Sequence, residues 1–376
     1  MRTAATRPPT MSTLSLAFEL GNAEWKLALT PRIDQPPLVR TIPARDLTRL
    51  DRETRRALTH FGLPADTPVQ SCYEAGRDGF WLHRYLTHRG VANQIVDSSS
   101  IEVNLRRRRA KTDRLDAVKL VTMLLRATAG EPQVWSVVRV PTPAAEDHRQ
   151  VHRELLFVRR DRGRHTNRIK GLLAGQGVPL AQIRELPTHL ETARLWDGTP
   201  LPPLLRARLA REWDTVLAYT ARIRELLVER RALLRATEDP AIAQVHQLHQ
   251  LRGIGEDSAW LYVMEFFGWR QFRNRRQVGG LAGLGGTPYQ SGDLQHEQGI
   301  SKAGNRWVRA LVINTAWGWL RFQPESALSR WYMDRFGRGN SRVRKIGIVA
   351  LARKLLIALW RYLETGAVPE GAVLRA

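Results

Sequence analysis

Between residues 14 and 30 the apolar side chains alternate: Leu14, Leu16, Phe18 and Leu20, a break at Gly21-Asn22, then Trp25, Leu27 and Leu29. A period of two interrupted by glycine and asparagine predicts a β-hairpin. "PLVRTI" supplies a third short strand, and the spacing over roughly 44 to 61, stopped by Gly62 and Pro64, predicts a helix. Strand "VQSCYE", helix "DGFWLHRYLTHR", strand "NQIVD" and a helix opening at Thr112 follow. Three antiparallel strands and then αβαβα predict a mixed α/β sheet layered with helices.

Beyond residue 143 the pattern changes. "HRELLFVRRDRGRHTNRIKGLLAGQGV" and "LAYTARIRELLVERRALLRAT" carry helical stripes crowded with arginine, joined through the proline-rich "DGTPLPPLL". They predict an antiparallel helical arm whose basic face either lies along a duplex or is simply solvated. From about 245, "LHQLRGIGEDSAWLYVMEF" predicts a helix, a tight Gly253-Ile254-Gly255 turn and another helix. A glycine-rich, serine-bearing loop is then expected between two helices, and a basic amphipathic helix near 342 to 364 closes the chain.

Charge narrows the function. The 376 residues carry 59 Lys and Arg against 36 Asp and Glu, a formal net charge of +23, which predicts a polyanionic partner. An anionic membrane surface is the weaker choice, because the best apolar run, "IGIVALARKLLIALW", is broken by Arg353 and Lys354. Residues 1–11 are expected to be a flexible tail rather than a signal peptide. The single Cys72 excludes an internal disulfide and a cysteine-rich zinc site, which suits a reducing cytoplasm.

The predicted element order places four carboxylates suggestively. Glu19 falls on the first strand opposite its leucines, Glu74 at the carboxyl end of the fourth strand, and Asp113 and Asp116 one helical turn apart at a helix start. Taken singly, each has an ordinary explanation: the aspartates suit a helix cap or first turn, the glutamates a strand edge. Together, beside the basic run Arg106, Arg107, Arg108, Arg109 and Lys111, they form a hard-oxygen set suited to magnesium and phosphodiester chemistry. Gly253 and Gly255 match a helix-hairpin-helix phosphate turn and equally an ordinary interhelical turn. Lys302, Asn305 and Arg306 stand at a helix start able to grip phosphate, and Arg168 and Lys170 lie on the basic arm. Ser291 is one of several serines beside glycine, and composition alone does not select it.

The runs "YEAGRDGFWLHRYL", "KTDRLDAVKL", "NRIKGLLAGQGV", "LRGIGEDSA", "LAGLGGTPYQSG" and "GISKAGNRWVRALV", in that order, resemble the DEDD transposases of bacterial insertion sequences. The resemblance covers roughly residues 14 to 363. It implies a RuvC-like (RNase H-like) α/β catalytic domain over 12–140, an α-helical coiled-coil linker over 141–244 and a mainly helical serine transposase domain over 245–376. It assigns Glu74, Asp113 and Asp116 to the second, third and fourth acidic positions and Ser291 to the nucleophile. The first acidic position is normally aspartate; here the matching strand offers Glu19, with Glu24 and Asp34 off the strand centre. The resemblance further implies Mg2+, donor and target DNA, a noncoding bridge RNA, and dimers pairing into tetramers. The rival expectations are a RuvC-like nuclease or junction resolvase that uses water, and a non-catalytic nucleic-acid-binding protein.

Overall fold

The hairpin expected from the alternating leucines is β1 (Leu14–Leu20) and β2 (Glu24–Thr30), antiparallel with Phe18 opposite Leu27. β3 (Leu38–Pro43) extends it, α1 (Leu47–His60) follows, and β4 (Val69–Glu74), α2 (Trp81–His88), β5 (Ala92–Val96) and α3 (Asp113–Thr128) complete the element order. The sheet order is β3-β2-β1-β4-β5, with β1, β4 and β5 parallel to one another. This computed structural model describes residues 12–101, 112–132, 134–235, 238–291 and 294–375, without the side chains of residues 99, 288–291 and 294–298. The basic run Arg106 to Lys111 therefore lies outside the described residues. The chain divides into two units, Met1–Val140 and Pro141–Ala376.

In the first unit both faces of the sheet are covered, and they are covered differently. Leu14, Leu16, Phe18, Trp25, Leu27 and Leu29 pack with Leu50, Ala57 and Leu58 of α1 and Leu82 and Leu86 of α2. The opposite face is built from small residues, Ala17, Ala28 and Cys72, against which Ala117, Leu120, Val121 and Leu124 of α3 pack. Small side chains let a helix approach closely, and full burial of each leucine contributes roughly 1.5–3 kcal/mol. Two bonds orient α3: the Cys72 thiol donates to the Leu120 carbonyl at 3.7 Å, and the Thr128 hydroxyl donates to Gln70 Oε1 at 3.1 Å. The C-terminal end of α3 thus lies at the start of β4, so α3 runs antiparallel to β4.

In the second unit, α4 (Pro143–Ala174) and α6 (Pro203–Leu233) are the two long arms, with the short α5 (Leu186–Thr192) between them. Each opens with proline at its first position, where the missing N–H costs nothing. The arms are antiparallel: Glu212 accepts from His165 and Arg168, whereas Arg222, further along α6, lies 4.0 Å from Glu154, earlier on α4. Leu155, Val158, Ile223 and Leu226 form one part of their seam, and Ile169, Leu173, Leu209 and Val216 another.

The remaining elements are α7 (Pro240–Gln250), α8 (Glu256–Tyr262), α9 (Arg275–Leu281), β6 (Gly286–Ser291), β7 (Leu294–Ile300), α10 (Arg306–Phe322), α11 (Ala327–Tyr332) and α12 (Ser341–Thr365). Their core holds Trp260, Tyr262, Phe266, Trp319, Leu355 and Leu359. One expectation is corrected here: the serine-bearing stretch is a two-stranded hairpin rather than an open loop. Its many glycines and polar residues hide the period-two signal, while Thr287, Tyr289 and Ile300 suit a strand. The strands are antiparallel, with Ser291 opposite Leu294. Among the described residues no helix is long and apolar enough to cross a membrane.

Candidate functional site

Glu19 and Glu74 occupy the same edge and the same face of the first unit's sheet. Ala17 pairs with Cys72 and Phe18 with Tyr73, so continuing the parallel register by one residue sets Glu19 beside Glu74. Adjacent strands lie about 4.8 Å apart. Since Ala17 and Cys72 face α3, so do Glu19 and Glu74, two residues further along each strand. The cation across from Glu19, Lys26, is turned toward β3, donating to Glu24 at 3.2 Å and Thr41 at 3.0 Å. Glu74 makes itself felt below: burial first, then the Glu74 charge, pushes the Cys72 thiol far above its usual range.

Helix α3 brings the aspartates toward that edge. From Leu120, level with Cys72, one turn back toward the N-terminus rises about 6 Å, close to the roughly 6.6 Å from Cys72 to Glu74 along the strand. Asp116 is therefore about level with Glu74, and Asp113 lies one turn beyond. Thr112 is the N-cap, accepting from the Leu115 amide at 3.4 Å, so neither aspartate is needed as the cap. Asp116 is half-buried and Asp113 exposed. Their place in the first turn still suits the helix dipole.

Carboxylates are the ligand type that a hard divalent cation takes, and Glu19 and Glu74 share one face and one level of the sheet. Among the described residues, however, no group of three or more His, Cys, Asp or Glu side chains stands close enough to hold a metal. One further acid reaches this edge. Asp97, just past β5, donates its amide to the Ser136 carbonyl at 2.9 Å and was legible only as the last residue of "NQIVD".

The other expected residues that are described are in the second unit. Ser291 ends β6, and its side chain is not described. Gly253 has a left-handed φ of +93°, and Gly255 caps α8. That helix opens with Glu256 and Asp257, which bind Arg230, and Asp257 also accepts from Arg159 at 2.8 Å. Arg168 is bound to Glu212 at 2.9 Å, and Lys170 reaches the Ala181 carbonyl at 3.5 Å. Asn305 caps α10, accepting from the amides of Trp307 and Val308 and donating to the Glu265 carbonyl. Arg306 stacks on Trp307 at 5.0 Å.

Lys302 is held differently. It has φ +56°, an uncommon conformation for a side-chain-bearing residue. Two turns interlock to keep it there: the amides of Ser301, Lys302 and Asn305 donate to the carbonyls of Gly285, Gly283 and Leu281. A Cβ on Gly304 would come within 2.2 Å of the Leu281 carbonyl oxygen and one on Gly283 within 2.3 Å of that of Ala303, so both positions require glycine.

Residues 245–332, which include this interlock and the hairpin, match the model of the transposase IS116/IS110/IS902 family. A protein of Sinorhizobium fredii named "Putative transposase y4rJ" is 42% identical over 385 residues, covering 97% of this chain and 95% of that protein. The chain belongs to this transposase family. A "Probable family 20 transposase" of Pseudomonas aeruginosa is 30% identical over 231 residues, 60% of this chain and 66% of its own length. The transposase for insertion sequence element IS1111A of Coxiella burnetii is 27% identical over 207 residues, 52% of this chain and 53% of its own length. Similarity at 42% across both units means that this family member shares the α/β sheet as well as the segment matched by the family model.

Proposed function

We propose that the chain is an insertion-sequence transposase that cuts and rejoins DNA through a serine nucleophile, Ser291, and a RuvC-like acidic site of Glu19, Glu74, Asp113 and Asp116. The observation that carries the reading is the placement of Glu19 and Glu74 on the one sheet face and edge toward which α3 leads Asp116 and Asp113. The strand order, with a three-stranded antiparallel half continued by two parallel strands, supports a RuvC-like domain. Magnesium bound by these carboxylates would draw charge from the phosphate and from the departing oxygen. Donor and target DNA are the substrates on this reading. A noncoding bridge RNA chooses the sites, and dimers pair into a tetramer.

The residues' own chemistry follows from a transesterification. The Ser291 hydroxyl forms a bond from Oγ to phosphorus, a bond from phosphorus to a sugar oxygen breaks, and the proton lost by the serine balances the one gained by the departing strand. One phosphate ester replaces another, so a second strand's hydroxyl can reverse the step without an outside energy source. Lys302 and Arg306 follow the hairpin closely in sequence and bind the DNA phosphates.

A different reading is favoured by one observation, the lack among the described residues of three acids close enough to hold a metal. It makes the chain a nucleic-acid-binding protein without catalysis. A single assay separates the two: element-junction DNA labelled at one end, candidate guide RNA and magnesium, with the products run in SDS. The proposed function expects a protein–DNA adduct that vanishes in Ser291→Ala and in Asp113→Ala. Cleavage that persists in Ser291→Ala points to hydrolysis by water, and binding without cleavage rejects catalysis.

A further inference from the structure

We propose that the groove between α9, α12 and the base of the β6–β7 hairpin binds an unpaired nucleic-acid strand. The proposal rests on the reading that this chain works on nucleic acid and names which state of it this surface takes. The groove encloses about 1240 Å³. α12 supplies Arg342, Lys345, Arg353 and Lys354. Arg275 and Arg276 come from α9, and Lys302 from the interlocked turns. Among the described residues no acidic residue lines it, and none of these seven cations is ion-paired. Arg153, Arg159, Arg168 and Arg230 of the same unit have carboxylate partners, whereas this surface is left for an outside anion.

The floor decides which polyanion. The same groove is lined by Leu284, Ile300, Ile346, Val349 and Ile357, with Ile346 58% exposed. A duplex offers phosphates to the protein and keeps its base faces stacked inside, so an apolar floor would gain nothing from it. An unpaired strand brings phosphates for the rim and base faces for the floor. Lys354 stands 4.5 Å over the ring of Trp331, setting a cation beside an aromatic surface at one wall. Two backbone features hold the cations in place. Arg353 crosses α9 over Gly279, where a Cβ would come within 2.8 Å of its Nε, and Lys302 keeps its left-handed conformation through the Gly283 and Gly304 interlock. Strain of this kind collects where a side chain must be aimed.

The test is fluorescence anisotropy of the full chain, without magnesium, on labelled single strands of about 12 nucleotides, both DNA and RNA, and on a duplex of the same length. Arg342→Ala combined with Lys345→Ala is expected to weaken single-strand binding about tenfold and to lower the salt slope by roughly 1.4, about 0.7 for each phosphate contact. Ile346→Ser is expected to weaken the single strand and leave the duplex unchanged. All three side chains are exposed, so circular dichroism should match the parent. Weakening with either sugar upholds the proposal, and the larger change tells DNA from RNA. Unchanged single-strand affinity, or an equal loss on the duplex, overturns it. Because binding is read without cleavage, a failed adduct assay leaves this test intact, and failure here leaves the acidic site untouched.

Discussion

Two arginine-bearing regions of the second unit put their positive charge to opposite uses. Where α4 and α6 meet α8 and the π-helical turn Val263–Phe267, the arginines are inside the structure: Arg153 binds Glu265 at 2.7 and 2.9 Å, and Arg230, 4% exposed, binds Glu256 and Asp257. Along α12 and α9 the cations line a groove where no described residue is a carboxylate. A net charge of +23 counts both alike. The lesson is that an arginine's partner, more than its number in a run, separates a charge that stabilises the fold from one offered to a ligand.

The buried side of that comparison should break hardest. Glu265→Ala removes a carboxylate that is 2% exposed and strands Arg153 beside the charge of Arg149 and the ring of His152. Losing one member of a buried pair costs roughly 3–5 kcal/mol, toward the lower end here because Arg153 is partly exposed. Urea unfolding of the purified chain measures it, and a loss below that of a surface arginine would dissolve the distinction.

A pH test probes the same region. Burial, above all, holds His152 down at about 4, against the opposing charges of Glu265 and Asp257 and with the help of Arg230 and Arg153. Between about 4 and its ordinary value the unfolded chain binds the proton and the folded chain does not, so stability falls as pH drops through that window. The total loss approaches about 3 kcal/mol. Thermal melts from neutral to pH 4 should show it, and His152→Leu should flatten this part of the curve.

Gly304→Ala comes next. Its φ of +110° and the Leu281 carbonyl leave no room for a Cβ, and such a position costs on the order of 1–3 kcal/mol. Single-strand affinity should fall with it, since Lys302 loses its support. The smallest effect is expected for Arg342→Ala, within about 0.5 kcal/mol by unfolding, because the side chain is exposed and unpaired among the described residues. If Arg342→Ala cost as much as Glu265→Ala, the groove cations would belong to the fold after all.

Much of the α/β unit was legible because short-range rules govern it. The alternation of Leu14, Leu16 and Phe18, the helical spacing stopped by Gly62 and the helix start at Thr112 are local patterns, and strands and helices stand where they imply. The β6–β7 hairpin was not legible: glycines and polar residues blurred its period, and pairing between strands supplies what propensity lacks. In the acidic site, the residue types and their places on elements were readable, while the position of Asp116 level with Glu74 depends on how α3 crosses the sheet. The role of Arg168 as a partner of Glu212 had no signal in a basic run, whereas Asn305 stood at a helix start, where asparagine is a common cap.

By itself the sequence determined the elements of the α/β unit, the excess of positive charge and the set of carboxylates on strand ends and a helix start. Each of these depends on residue type and spacing within about one turn or one strand. Only the tertiary structure decided which charges are neutralised and which remain for a partner. That choice is made by residues as far apart as Arg153 and Glu265, or Lys302 and Arg342, and Coulomb interactions act across space without regard to position in the chain.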